Sequence, residues 1–537
     1  MEGSKRGLAL VALLALFLSF VMVPAALAED TTVSASGNWG ECAWEIDSAG
    51  LLTVHPGTGA NTEGVSPWAA HASEVKSAVF EKGVVLPADS SNMFEDFSNV
   101  ASIDASSLDT SKATDMDKMF SHCYALKTLD VSKWNTSQVT RLDAAFDCCY
   151  ELAALDVSKW DTAKVTNMSS LFNECGSLKA LDVSNWNTSK VENMSNMFRG
   201  RGGDADKTAL SLLTTIDVSK FDTSNVTNMS GMFSNCTSLA NLDVSGFDTS
   251  KVMSMQSMFS NCKALTSLNL SKFNTSNVSG IGMRAMFSGS SALKSLDLSS
   301  FDTARVKDMS YMFANCTYLS TLNLSSFDTA KVSSMSDMFS GCTLLSSITV
   351  GSNYQIKRTD MFPEATVASG WWSTTDSCWF SKADIVKSRS GVADTYLNNA
   401  SAPLPMHRLY NPNSGEHFYT ASDGERDQLK VLGWVDEGDA WKAPRTSSAP
   451  VYRLYNPNGG DHHYTLSAGE RDLLVGLGWH DEGIGWYSDV AKSVEVWRQY
   501  NPNAVTGSHN FTTSTGERDL LIAQGWNDEG VAWYGVA

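Results

Sequence analysis

The chain reads as an α/β repeat protein. It is a solenoid of parallel strands plus short helices, with a β-rich N-terminal cap and a separate α+β module of threefold repeats at the C-terminus. Two periodicities and a gap between them predict this. An aromatic recurs at Trp134, Trp160, Trp186, Phe221, Phe247, Phe273, Phe301 and Phe327, at a spacing of 26 residues that lengthens only across Arg199–Ala209 and around Gly280–Met283. A Tyr-Asn-Pro-Asn motif recurs at Tyr410, Asn456 follows Tyr455, and Asn501 follows Tyr500, with the copies 45 residues apart. Residues 349–402 carry neither period. The expected domains are therefore 1–28, a signal peptide; 29–92, the N-terminal cap; 93–348, the 26-residue-repeat solenoid; 349–402, a C-terminal cap and linker; and 403–537, the threefold module.

The first segment is an address. Lys5 and Arg6 precede an apolar run from Leu8 to Val23, and Ala26-Leu27-Ala28 is a small-x-small cleavage site. We expect export, no membrane-spanning segment after cleavage, and no covalent wall anchor, since the chain stops without an LPxTG-type signal.

Each part of the central repeat has a physical task. In Leu129-Asp130-Val131-Ser132 apolar and polar residues alternate, as in a short half-buried strand. Asn135-Thr136 supplies turn and cap chemistry. Val165, Met168, Leu171 and Phe172 follow at the spacing of one helix face. One such unit cannot bury its apolar side alone, and stacking neighbours does so. Thr110, Thr136, Thr162 and their counterparts form one row, expected to be a hydrogen-bonded ladder. Cys123, Cys149, Cys175, Cys236, Cys262, Cys316 and Cys342 form another, expected to be buried small groups and not metal ligands.

A third row is acidic: Asp130, Asp156, Asp182, Asp217, Asp243 and Asp297, with Asp104 ahead of them. These residues should point out from the sheet. Either the following serines, nearby lysines and solvent neutralise them, or the face binds a basic partner.

The C-terminal module repeats Tyr-Asn-Pro-Asn, His-x-aromatic-Thr, Ser-x-Gly-Glu-Arg-Asp and Gly-Trp in order. Ser422 with Glu425, Ser467 with Glu470 and Ser514 with Glu517 have capping-box spacing, and Gly433, Gly478 and Gly525 stop the helices. Two strands, a helix and a strand are expected three times. The module holds seven of the chain's 16 tryptophans. Tyr410, Trp434, Trp441, Tyr455, Trp479, Trp486, Tyr500, Trp526 and Trp533 are the candidate ligand-binding residues. Their rings either fill a small core or stack on sugar faces.

The central unit, LDVSKWNTSQVT followed by MF and Cys, resembles the BspA-type bacterial surface-protein repeat, a divergent leucine-rich repeat, over residues 93–348. Gly37–Trp68 resembles the segment that precedes such arrays. This resemblance implies a leucine-rich-repeat-like solenoid in an exported, surface-exposed protein that works by adhesion or protein binding. The C-terminal motif resembles a repeat found on secreted actinobacterial and firmicute proteins, including cell-wall lytic muramidases, which implies binding to wall or surface glycan. The third copy departs from it at Asn510-Phe511 and at Ala504-Val505.

A net charge of −19 and no basic run argue against nucleic-acid binding. No paired carboxylates stand out as a glycosidase dyad, and no GxSxG, HExxH or P-loop pattern occurs. His417, His462 and His509 could converge as three metal ligands, but equivalent residues of any repeat look alike. The expectation is no enzyme, no cofactor and no metal. The expected protein is a secreted, cell-wall-associated adhesin: its solenoid binds a protein on a host or bacterial surface, and its C-terminal module attaches to cell-wall or extracellular glycan. The alternative is an exported glycan-binding accessory of wall remodelling, with the solenoid as spacer.

Overall fold

The computed structural model describes residues 32–202, 211–365, 370–376, 378–398, 402–504 and 508–536. The expected signal peptide lies outside the described residues, as does most of the expected insertion after Arg199. The chain is a β-solenoid of about 11 turns with a separate C-terminal β-rich module. It divides into two compact bodies, residues up to Leu265 and residues from Thr266. No helix among the described residues is long and apolar enough to cross a membrane.

The first body begins with a six-stranded sheet. Val33–Trp39, Cys42–Asp47 and Leu51–Val54 run antiparallel. Ser77–Phe80, Ser102–Asp104 and Thr128–Leu129 then continue in parallel, with Leu51, Ser77, Ser102 and Thr128 in register. The N-terminal cap is thus the edge of the solenoid's own sheet. A second parallel line joins Asp89, Asp115, Arg141, Asn167, Asn193, Asn228 and Ser254, one residue per turn.

Among the described residues, the short helices expected in each turn are absent. The four α-helices among the described residues all lie beyond the repeats, at Lys382–Ser388, Asp423–Val431, Ala468–Gly476 and Thr515–Ala523. Two features break helical geometry in the Met-x-x-Met-Phe segment. Ser170 and Glu174 have φ of 56° and 58°, in the left-handed region. The amides also bond across turns and not four residues back: Ser170 N to Ser195 O at 2.7 Å, Phe172 N to Met197 O at 3.0 Å, Glu174 N to Arg199 O at 2.7 Å. The apolar spacing survives because Val165, Met168, Leu171 and Phe172 still turn inward and are buried.

Ladders fill the interior. Phe120, Phe146 and Phe172 stack 5.6 and 5.7 Å apart, and Trp134, Trp160 and Trp186 stack 6.2 and 6.3 Å apart with nearly parallel planes. Each ladder cysteine gives its thiol hydrogen to a phenylalanine carbonyl of the preceding turn, as in Cys149 Sγ to Phe120 O at 3.2 Å and Cys175 Sγ to Phe146 O at 3.0 Å. Thr136 and Thr162 hydroxyls donate to the carbonyls of Asp161 and Asn187, both at 2.9 Å.

In the second body, Ser295–Leu296, Thr321–Leu324 and Ser347–Val350 are parallel. Asp394–Asn398 then lies antiparallel on Ser347–Val350, followed by Trp371–Ser373 and Cys378–Phe380. This closes the sheet's open edge. Buried Asp394 ties the closure together: it accepts from Arg389 Nη2 at 2.7 Å and Thr375 Oγ1 at 2.9 Å. Burial opposes its charge, yet hydrogen bonds from Ser373, Thr375 and Arg389 hold its carboxyl below the usual range.

The module from Leu404 onward has three copies of one unit. Leu404–Tyr410, Pro450–Asn456 and Val494–Tyr500 are each the centre of a three-stranded antiparallel sheet. Ser422, Ser467 and Ser514 cap the three helices, accepting from the amides of Glu425, Glu470 and Glu517 at 3.2, 3.1 and 3.2 Å. Gly433, Gly478 and Gly525 end them at φ near 95°, where a side chain would be strained. Tyr419, Tyr464, Phe511, Trp441, Trp486 and Trp533 meet in the common core.

Candidate functional site

The structure divides the nine candidate rings of the module into two classes. Trp441, Trp486 and Trp533 are 6%, 2% and 1% exposed and form the core, with ring centroids 5.4–5.8 Å apart. They cannot stack on a ligand, which corrects the reading of these three as binding residues. Their position explains it: each ends a strand whose inward side faces the other two copies. Trp434, Trp479 and Trp526 follow the helix-stopping glycines and remain half-buried. Tyr410, Tyr455 and Tyr500 are also half-buried, each packed on the histidine of its own copy at 5.1, 5.0 and 5.2 Å.

Around the half-buried tryptophans the surface is apolar. None of the three module helices buries a side chain. Leu432 and Leu477 are 73% and 67% exposed, and Leu473 and Leu520 are also exposed. Scattered exposed leucines are ordinary, but three helices that bury nothing are not.

Beside the shared aromatic core, ion pairs join neighbouring copies. Arg453 bridges Glu425 of the first copy at 3.0 Å and Glu482 of its own at 2.9 Å. Arg408 likewise bridges Glu517 of the third copy at 2.7 Å and its own Glu437 at 2.8 Å. The junction of the second and third copies breaks the pattern. Arg498 keeps its own Glu529 at 2.8 Å, but Glu470 is taken by His463 Nε2 at 3.1 Å. The cause is a single position: where the first copy has Phe418, the second has His463 and the third has Asn510.

A cavity of about 190 Å³ opens at this third junction. Thr465, Ser467, Glu470, Arg498, Glu529 and an edge of Trp533 line it. The hydrogen bond from His463, then that from Thr465, hold the Glu470 carboxyl down to about 2. Burial, then the neighbouring His463, hold the His509 imidazole down to about 3. The cavity therefore presents the Glu470 and Glu529 carboxylates, the Arg498 guanidinium and the Thr465 and Ser467 hydroxyls. These groups can donate and accept hydrogen bonds.

His417, His462 and His509 do not converge. Each Nε2 faces the glutamate of its own copy, Glu437, Glu482 and Glu529, at 3.4, 3.5 and 3.5 Å.

On the solenoid, the acidic row is exposed, except for half-buried Asp182, but not bare. Asp130, Asp156, Asp182, Asp217 and Asp243 each accept from the amide and hydroxyl of the serine two residues on, at 3.0–3.1 and 2.6–2.7 Å. Asp297 accepts from Ser299 N at 3.0 Å. The serine bonds lower the Asp243 and Asp297 carboxyls below their ordinary range. Repulsion along the row is met locally, turn by turn.

One cluster escaped the sequence reading: His122, Asp147 and Cys148 place a nitrogen, an oxygen and a sulfur within 4.8 Å of one another. Its signal was available in the residue just ahead of each ladder cysteine, which is Asn235, Asn261 and Asn315 in other turns but His122 and Cys148 here.

Comparisons with known proteins match two stretches of the chain separately. The C-terminal module, residues 405–536, matches a domain of unknown function, DUF5648. A leucine-rich repeat protein from Eubacterium ventriosum is 15% identical, with 57% of this chain and 95% of that chain covered and a TM-score of 0.27. A leucine-rich cell surface protein from Faecalibacterium prausnitzii is 17% identical, with 59% and 95% covered and a TM-score of 0.26. No curated protein matches the chain. The repeats themselves match the family described as Mycoplasma protein of unknown function, DUF285, over residues 88–209, 206–293 and 269–369, more than half of the sequence, and the chain belongs to that family.

Proposed function

We propose that this is an exported, non-catalytic bacterial surface protein that attaches to cell-wall or extracellular glycan through its C-terminal module and presents the solenoid to a protein partner. The observation that carries the glycan reading is the third junction. Two junctions are closed by an arginine bridging two glutamates, and the third leaves an open polar cavity of about 190 Å³ beside Arg498. That is smaller than the ~300–1,000 Å³ of clefts for drug-sized ligands and suits one sugar ring. Half-buried Trp479 and exposed Leu477 supply apolar surface on the second copy for further units of a chain. The acidic row from Asp130 to Asp243 suits a partner with a basic face.

The test is co-sedimentation of the secreted chain with purified sacculi, alongside Arg498→Ala and Trp479→Ala. Arg498→Ala should lower sedimentation at least tenfold and Trp479→Ala several-fold, with unchanged far-UV circular dichroism. Sedimentation equal in all three proteins, or in none, refutes the assignment of glycan binding to this junction.

A further inference from the structure

In the turns of the first body, the residue before the ladder cysteine sits in the left-handed region. Asn235 and Asn261 take φ of 60° and 57°, as that conformation favours. Four consecutive turns put Asp96, His122, Cys148 and Glu174 there instead, at φ of 66°, 61°, 59° and 58°. Cysteine and glutamate gain nothing from this backbone, which the repeats also impose at another position on Lys118, Ala144 and Tyr311, so the case for a site rests on where the side chains meet. The backbone is fixed by cross-turn bonds: His122 N to Asp147 O and Cys148 N to Asn173 O, both 2.8 Å.

The side chains gather. The buried Nδ1 of His122 lies 3.0 Å from Asp96 Oδ1 yet makes no hydrogen bond. Cys148 Sγ is 3.2 Å from Asp147 Oδ1 and 4.0 Å from Glu174 Oε2. Asn173 Nδ2 donates to Asp147 Oδ1 at 2.6 Å and orients that carboxylate from behind. Tyr150 also hydrogen-bonds the sulfur. Arg199 approaches Glu174 at 3.8 Å. Three carboxylates therefore surround one thiol and one imidazole.

We propose that His122, Asp147 and Cys148 bind a divalent transition-metal ion, zinc by the softness of its donors, with Glu174 or Asp96 beside the fourth position. The mixed nitrogen, oxygen and sulfur set favours zinc over magnesium or calcium, which take oxygen alone. Tetrahedral zinc with bonds of about 2.0–2.3 Å sets ligand atoms roughly 3.3–3.7 Å apart. The donors, now within 4.8 Å, need to close by about 1 Å around an ion. A bound cation would replace the thiol proton and relieve the crowded carboxylates, so uptake releases a proton.

The test uses the full secreted chain stripped with a chelator. Zinc titration by calorimetry should show one site. Cobalt(II) should give a sulfur-to-cobalt charge-transfer band in the near ultraviolet. His122→Asn and Cys148→Asn install the residue that Asn235 and Asn261 already provide at this backbone position, so both should fold. Each should weaken zinc at least tenfold, and Cys148→Asn should abolish the cobalt–sulfur band. No zinc uptake by the unaltered chain at micromolar concentrations overturns the site. So does zinc uptake of unchanged affinity, or a sulfur band, in Cys148→Asn.

Discussion

Acid should loosen the C-terminal module and His509 should be a main reason. Its imidazole is held down to about 3 against an ordinary 6.5, first by burial and then by His463 and Arg498. The sign follows from which state binds the proton. Between these values the unfolded chain is protonated and the folded one is not, so stability present above pH 6.5 is lost as pH falls. At pH 5 the difference is about 1.5 pH units, or about 2 kcal/mol at ~1.4 kcal/mol per unit. His417, also lowered chiefly by burial, acts in the same direction. Glu470, held down to about 2, adds its loss only below its ordinary value of 4.5. For a module of this size 2 kcal/mol is roughly 6–10 °C in melting temperature. Scanning calorimetry of the full chain at pH 7.5 and 5.0 should show the module's transition falling by that amount, and His509→Gln should recover much of the shift. A transition that does not move, or one that moves equally in His509→Gln, refutes the reasoning.

Three further outcomes are expected. The surroundings of Asp117 should respond to acid in the opposite sense: burial, then Asp143, raise its carboxyl to about 7, so its folded form binds more protons between pH 3.8 and 7 and this segment gains stability as pH falls; hydrogen exchange of the Met116–Phe120 amides at matched intrinsic rates reads this. Thr110→Val should cost about 2 kcal/mol by chemical denaturation, because Thr110 Oγ1 both donates to Asn135 O at 3.1 Å and accepts from Asn135 N at 2.8 Å, whereas Thr110→Ser should cost less than half of that. Cys149→Ser should be better tolerated than Cys149→Val in thermal melts, since serine can keep the bond to the Phe120 carbonyl and Ser290 already occupies the equivalent position in another turn.

The sequence disclosed whatever repeats. Rows at one phase of a 26-residue period became the Phe, Trp, Cys and Thr ladders, and Ser-x-x-Glu became three capped helices. It disclosed less where two structures share one apolar spacing. Val165, Met168, Leu171 and Phe172 fit a helix face, but they equally fit a flattened turn whose amides bond to the next turn. What separates the two is the left-handed residue: Ser170 and Asn196 show nothing unusual as letters, and only the recurrence of Asn235 and Asn261 ahead of cysteine hints at it. The tryptophans posed a similar problem. Trp434 and Trp441 are both conspicuous, and composition does not say that one follows a helix stop while the other closes a strand into the core.

Repetition also shows where function can be written. A ladder position such as Cys149 or Thr136 makes bonds to the turns beside it, so changing it disturbs neighbours as well. At the left-handed position the conformation is fixed by backbone bonds, although there too a side chain reaches the next turn, as in Asn261 Nδ2 to Asn235 Oδ1 at 2.9 Å. There the array can exchange asparagine for aspartate, histidine, cysteine or glutamate and still close its turns. The same holds in the module at Phe418, His463 and Asn510. One position varies while the capped helices and the Trp core stay constant, and the junction that receives the histidine is the one that opens. In both parts of the chain the departures from symmetry, and not the symmetric rows, are where chemistry gathers. The two sites therefore make separable claims: loss of sacculus binding in Arg498→Ala should leave zinc uptake intact, and Cys148→Asn should leave sacculus binding intact.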